Sequence, residues 1–147
     1  MLLWVKKVIR KNTEDKVDDM TLKYFTKKEF DCNCNSCKTK GNTGENMDID
    51  FLVKLDKARD IAGIPFKINS GYRCPEHNMK VGGIKTSSHT NIPCNAADIS
   101  TKDSVTRFKV LQALLEVGFV RIGIGESFIH CDTDTEKKSP EVCWTYY

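Results

Sequence analysis

Long apolar runs are missing from this sequence of 147 residues, and no stretch approaches the roughly 20 residues a membrane-spanning helix needs. The start, Met1 to Arg10, is basic and partly apolar, but its longest uninterrupted apolar stretch is Met1 to Val5. A secretory signal needs a core of roughly 7–15 such residues followed by a small-residue cleavage pattern, so the expectation is cytoplasmic synthesis without a signal peptide. Excess charge is also missing: 23 basic and 20 acidic residues leave +3, too little to argue for nucleic acid, although it would not repel an anionic polymer such as a cell wall. Repeats and low-complexity tracts are absent. Histidine is scarce, with three in the chain. An even cysteine count is lacking too: there are seven, so a fully paired disulfide framework within one chain is excluded. Mostly free thiols in a reducing compartment are the simpler account. What remains, 39% hydrophobic and 29% charged residues, describes a soluble globular chain with enough length for a real core.

Residues 11–20 are polar and aperiodic, so residues 1–20 read as a lead-in or linker and 21–147 as one domain. Residues 31–46 have loop composition and hold three cysteines. Leu52, Leu55, Arg59 and Ala62, with Val53 and Ala58, follow a helical period over Ile49 to Ala62, closed by Gly63-Ile64-Pro65. A second helix is predicted from Ser104 to Val117, capped by Asp103 or Ser104 and ended by Gly118, with Val105, Phe108, Leu111, Leu114 and Leu115 as its buried face. Strand patterns occupy Phe66 to Ser70, Ala96 to Ser100, Val120 to Gly125 and Phe128 to Thr133. Strands that outnumber helices and cluster late predict an α+β fold with a small antiparallel sheet flanked by helices.

The chemistry-bearing residues lie on those late strands. Ser87-Ser88-His89 is followed by Ala96-Ala97-Asp98 and then by Phe128-Ile129-His130-Cys131-Asp132. Two imidazoles and a carboxylate form the three-ligand set of a catalytic zinc that keeps a fourth position open. Asp132 lies two residues after His130, so on a strand the two share a face. Spacing alone does not settle a metal role, because isolated histidines are ordinarily surface or core residues.

The ordered motifs Ser70-Gly71-Tyr72-Arg73, Pro75-Glu76-His77-Asn78, Val81-Gly82-Gly83, Ser87-Ser88-His89, Ala96-Ala97-Asp98 and His130-Cys131-Asp132 resemble the zinc D-Ala-D-Ala carboxypeptidase and L,D-endopeptidase superfamily, peptidase M15. The phage-type branch is the nearest match, and the resemblance spans roughly Phe25 to Trp144. It implies one catalytic Zn2+ on His89, Asp98 and His130, with Arg73 facing the substrate to hold a carboxylate or stabilise an oxyanion. Ser87 would be a loop-ordering or substrate-binding group, and Trp144 would close the site. Several branches put an acidic residue three positions before the third ligand, where this chain has Ser127. Asp132, favoured as general base, and Glu126 remain as the acids, both credited with the strand parity of His130. The link between His89 and Asp98, eight residues with Pro93 and Cys94, is longer than in related sequences. Hedgehog proteins share this metal-site fold, but Phe128 stands where their second histidine would be.

The implied activity is hydrolysis of peptide bonds in peptidoglycan stem peptides, as a carboxypeptidase or an endolysin-like endopeptidase. The chain would act as a monomer on the wall after release in phage or prophage lysis, or as part of a virion. The rival is a non-catalytic, zinc-stabilised module that binds the wall or a partner and has no need of an acid beside the metal. Cys32, Cys34 and Cys37 form Cys-x-Cys-x-x-Cys, which packed thiols or an occasional disulfide explain ahead of a second Zn2+. A closed metal site would need Cys74 or Cys143 as its fourth ligand. His77 reads as a polar loop residue rather than a ligand.

Overall fold

Capping residues set the helix limits in the computed structural model, which describes residues 22–147. The lead-in expected over residues 1–20 lies outside the described residues. The helices are α1 (Asn35–Lys40), α2 (Ile49–Ala62), α3 (Pro75–Lys80) and α4 (Ser104–Glu116). The strands are β1 (Ile68–Ser70), β2 (Ala96–Ser100), β3 (Arg121–Ile124), β4 (Phe128–Asp132) and β5 (Val142–Thr145). Asp48 accepts the Asp50 N–H at the start of α2, and Gly63 closes that helix in the left-handed region at φ 64°. Asp103 does the same for α4 through the Thr106 N–H at 2.8 Å. Among the described residues no helix is long and apolar enough to cross a membrane.

The mixed α+β architecture agrees with the sequence reading. The five strands lie in the order β1-β2-β4-β3-β5. All pairs are antiparallel except β3 with β5, so the expected antiparallel sheet is in fact mixed. After β4 the chain crosses to the far edge of β3 and reverses. A strand antiparallel to β4 must then run parallel to β3.

The buried face of α4 also differs from expectation. Val110, Ala113 and Leu114 are buried, whereas Val105, Phe108 and Leu115 are 63%, 65% and 58% exposed. At 100° per residue those three point away from Val110, and the sheet covers one side of the helix only. On α2 the buried residues are Phe51, Leu52, Leu55 and Ala58. They form one core with Val110 and Leu114 from α4 and with Ile99, Ile122, Ile129 and Cys131 from the sheet.

Strand alternation then gives the sheet its second face. Ala97 and Ile99 on β2, Ile129 and Cys131 on β4, and Ile122 on β3 point into the core, so Asp98, His130, Asp132, Arg121 and Gly123 point the other way. Register aligns one row across all five strands, Ser70, Asp98, His130, Gly123 and Trp144. Gly123 is required in that row, because a Cβ there would stand 2.6 Å from the Trp144 indole.

Candidate active site

Asp98 and His130 face each other because β2 and β4 pair residue for residue at that point. His89 arrives from outside the sheet, on the short 3-10 turn Ser88–Thr90, whose start is capped by Ser87 Oγ accepting the His89 N–H at 3.3 Å. The long link after His89 is held down by Cys94, which is fully buried; its N–H donates to the Asn46 carbonyl at 2.7 Å and its carbonyl accepts the Asp48 N–H at 2.8 Å. The extra length therefore leaves both ends of the link fixed.

The three predicted ligands converge. His89 Nε2 lies 3.2 Å from Asp98 Oδ1 and 3.2 Å from His130 Nδ1, and His130 Nδ1 lies 3.0 Å from Asp98 Oδ1. The far nitrogen of each ring is engaged. His89 Nδ1 is 2.6 Å from the Gly71 carbonyl, and His130 Nε2 is 2.7 Å from Asp132 Oδ2. A carbonyl can only accept, so His89 carries its proton on Nδ1 and turns the Nε2 lone pair inward. Asp132 likewise fixes the His130 proton on Nε2. Two inward lone pairs beside a carboxylate oxygen cannot bond one another, and that donor set suits a divalent metal. The two rings and the carboxylate are a fit for zinc by type and number.

The carboxylates are held ionised. Burial pushes the Asp98 carboxyl up, but the His89 and His130 rings outweigh it and hold it well below the usual carboxylate range. For Asp132 burial acts in the same sense, and the His130 ring, the Asp134 N–H and Arg121 overcome it and lower the carboxyl. Burial pushes His89 down. It opposes His130 as well, but Asp132 and Asp98 prevail and raise that ring.

Arg73 lies at the site, anchored by all three of its nitrogens. Nε donates to Ser70 Oγ at 2.9 Å, Nη1 to Asn78 Oδ1 at 3.0 Å and Nη2 to Asp98 Oδ2 at 3.1 Å. Its backbone N–H donates to the His89 carbonyl at 2.9 Å. Two cavities flank the cluster and share Arg73, Gly82, Gly83 and Tyr146: one of about 520 Å³ also lined by His77, Asp98 and Phe128, the other of about 480 Å³ also lined by Ser87, His89, His130, Asp132, Lys138 and Trp144. The Trp144 and His130 rings lie 5.5 Å apart, so Trp144 borders the site as expected. His77 lines a cavity and joins no ligand set among the described residues.

The two acids considered as base are placed differently from one another. Asp132 is 1% exposed, with Oδ2 on His130 and Oδ1 accepting from Arg121 Nε at 2.7 Å and from the Asp134 N–H at 3.0 Å. It stands behind His130, on the nitrogen turned away from the ligand cluster. Glu126 lies in the exposed bend before β4 begins at Phe128, so strand parity with His130 does not reach it, and it lines neither cavity. Sequence reasoning missed Arg121 and Tyr146. The signal for Arg121 was a cation inside the apolar stretch Val120 to Gly125; for Tyr146 there was none.

A family model described as peptidase M15 matches residues 23–132. No curated protein matches the chain.

Proposed function

The chain belongs to the peptidase M15 family, and on that premise we propose that it is a zinc metallopeptidase hydrolysing stem peptides of peptidoglycan. The observation that carries this reading is the convergence of His89 Nε2, Asp98 Oδ1 and His130 Nδ1 within 3.0–3.2 Å beside two cavities. Those three atoms would hold a zinc ion, which when bound would supply Lewis-acid chemistry to a peptide carbonyl and to water near neutral pH.

The chain's own residues prepare that chemistry. The Gly71 carbonyl and the Asp132 carboxylate fix the proton on the outer nitrogen of each imidazole, which keeps both inner nitrogens available. Asp132 is thus a positioning residue, itself held by Arg121. Of the five N–H donors on the Arg73 guanidinium, three are engaged within the protein, and the remaining two are free for an anionic substrate oxygen. Charge develops on the carbonyl oxygen as water adds, so a fixed cation beside it helps the transition state more than the ground state. Ser87, whose oxygen accepts a backbone N–H, keeps its hydroxyl proton for a substrate carbonyl at the cavity wall. Lysis-type action on the cell wall of a phage host is the setting this reading fits.

One observation favours the rival, a metal-stabilised binding module of the same fold. Asp132 borders a cavity with both of its oxygens engaged and Glu126 lines neither cavity, and a binder needs no free acid. The deciding experiment is mass spectrometry of fragments released from purified peptidoglycan by the protein as purified, after chelation, and after zinc is restored. Stem-peptide fragments that vanish with chelator and return with zinc are expected, and they identify the bond that is cut. Folded, zinc-loaded protein that releases nothing from several wall chemotypes would establish the binding module instead.

A further inference from the structure

We propose that Cys32, Cys34, Cys37 and Cys74 form a second metal site, a closed tetrathiolate that takes zinc and ties the segment around α1 to the segment that carries Arg73. The four Sγ atoms all lie within 4.8 Å of one another. Cys34 Sγ is 3.7 Å from both Cys32 Sγ and Cys74 Sγ. A tetrahedron with Zn–S bonds of about 2.3 Å places its sulfurs roughly 3.8 Å apart, so little movement is needed to close around an ion. Cys143, the other candidate for fourth ligand, is exposed on β5 and takes no part.

Backbone donors point at three of the contacts. Cys37 N–H donates to Cys34 Sγ at 3.3 Å, His77 N–H to Cys74 Sγ at 3.4 Å, and Cys74 N–H to Cys32 Sγ at 3.4 Å. Such N–H groups stabilise sulfur that carries negative charge, which thiolates bound to a metal do. The thiols that merely pack look different. Cys94 Sγ lies among the carbonyls of Ser88, His89 and Ala96, the nearest at 3.5 Å, and Cys131 is fully buried in the core, neither near a second sulfur. Four soft ligands select zinc or a similar thiophilic ion over magnesium or calcium, and four protein ligands leave no position for water. The site is therefore structural. It joins residues 32–37 to the residue that follows Arg73 in sequence, and it does so whether or not the chain hydrolyses peptides.

The test uses the full-length reduced protein. Elemental analysis is expected to give two zinc ions per chain, falling to one in His89→Ala. Replacing zinc by cobalt should produce the intense near-ultraviolet thiolate-to-cobalt charge-transfer band, kept in His89→Ala and lost in the double variant Cys34→Ser/Cys74→Ser. A thiol reagent should find four more reactive cysteines after the metal is stripped than before. If the double variant does not fold, the wild-type band and thiol count decide by themselves. One zinc with the band upholds this site and removes the ion from the His/Asp cluster. No charge-transfer band, with the four cysteines reacting freely or found as two disulfides, overturns the proposal.

Discussion

Two sets of metal-type ligands lie in this molecule, and Arg73-Cys74 is where they adjoin. The His89/Asp98/His130 set offers three unlike donors at the junction of two cavities, with a cation beside it and the outer ring nitrogens held by Gly71 and Asp132. The cysteine set offers four like donors from two chain segments. Donor number separates their roles: three leave a coordination position for a reacting molecule, and four do not. The surroundings differ too, since hydrogen bonds at the first set orient imidazoles while those at the second are donated by backbone N–H groups to sulfur.

Breaking the open set should have the largest consequence. His130→Ala is expected to lose catalysis by on the order of a thousandfold or more, since the Lewis acid contributes several kcal/mol to the transition state. The measurement is fragment release paired with zinc content, and the cobalt–thiolate band should survive. Arg73→Lys removes the fork that spans Ser70, Asn78 and Asp98. A fall of roughly 100–1,000-fold in kcat at unchanged zinc content is expected from loss of one preorganised donor. Asp132→Asn leaves the strand in place but weakens the acceptor on His130 Nε2; zinc affinity at the open set should drop about 10–100-fold, read by competition with a chromophoric chelator. Gly123→Ala sharpens the comparison from the sheet side, because a Cβ meets the Trp144 ring at 2.6 Å. Loss of stability of about 1–3 kcal/mol in denaturant unfolding should accompany a displaced Trp144, seen as a fluorescence change. Glu126→Gln should do least, less than about threefold in kcat, as befits an exposed residue of the β3–β4 turn that lines neither cavity.

Much of this was legible before any geometry. The motifs around His89, Asp98 and His130 named the three side chains whose donor atoms converge, and the cap at Asp103 named a helix start. Their legibility has a physical origin: caps and ligand motifs are local, and residue type alone carries the signal. Non-local features were not legible. That Asp98 opposes His130 follows from a register between strands about thirty residues apart. That Cys74 rather than Cys143 joins the early cysteines follows from how the segment after β1 folds back. β5 escaped notice because it is short and Val142, Cys143 and Trp144 are apolar in a row, although their burial alternates. β4 begins at Phe128, where the strand pattern placed it, so the parity argument could not extend to Glu126 in the bend two residues earlier. On α4 the apolar residues surround the helix almost completely, so periodicity could not select the face that the sheet covers.

The central claim is that the open set works and the closed set holds. Graded chelation of the zinc-loaded protein tests it most directly, with fragment release, zinc content and the thiol count followed on the same samples. The account predicts that hydrolysis disappears with the first zinc removed, while four thiols stay shielded and the fold is intact. Hydrolysis that persists after that zinc has gone, or that falls only as the shielded thiols become reactive, would contradict it.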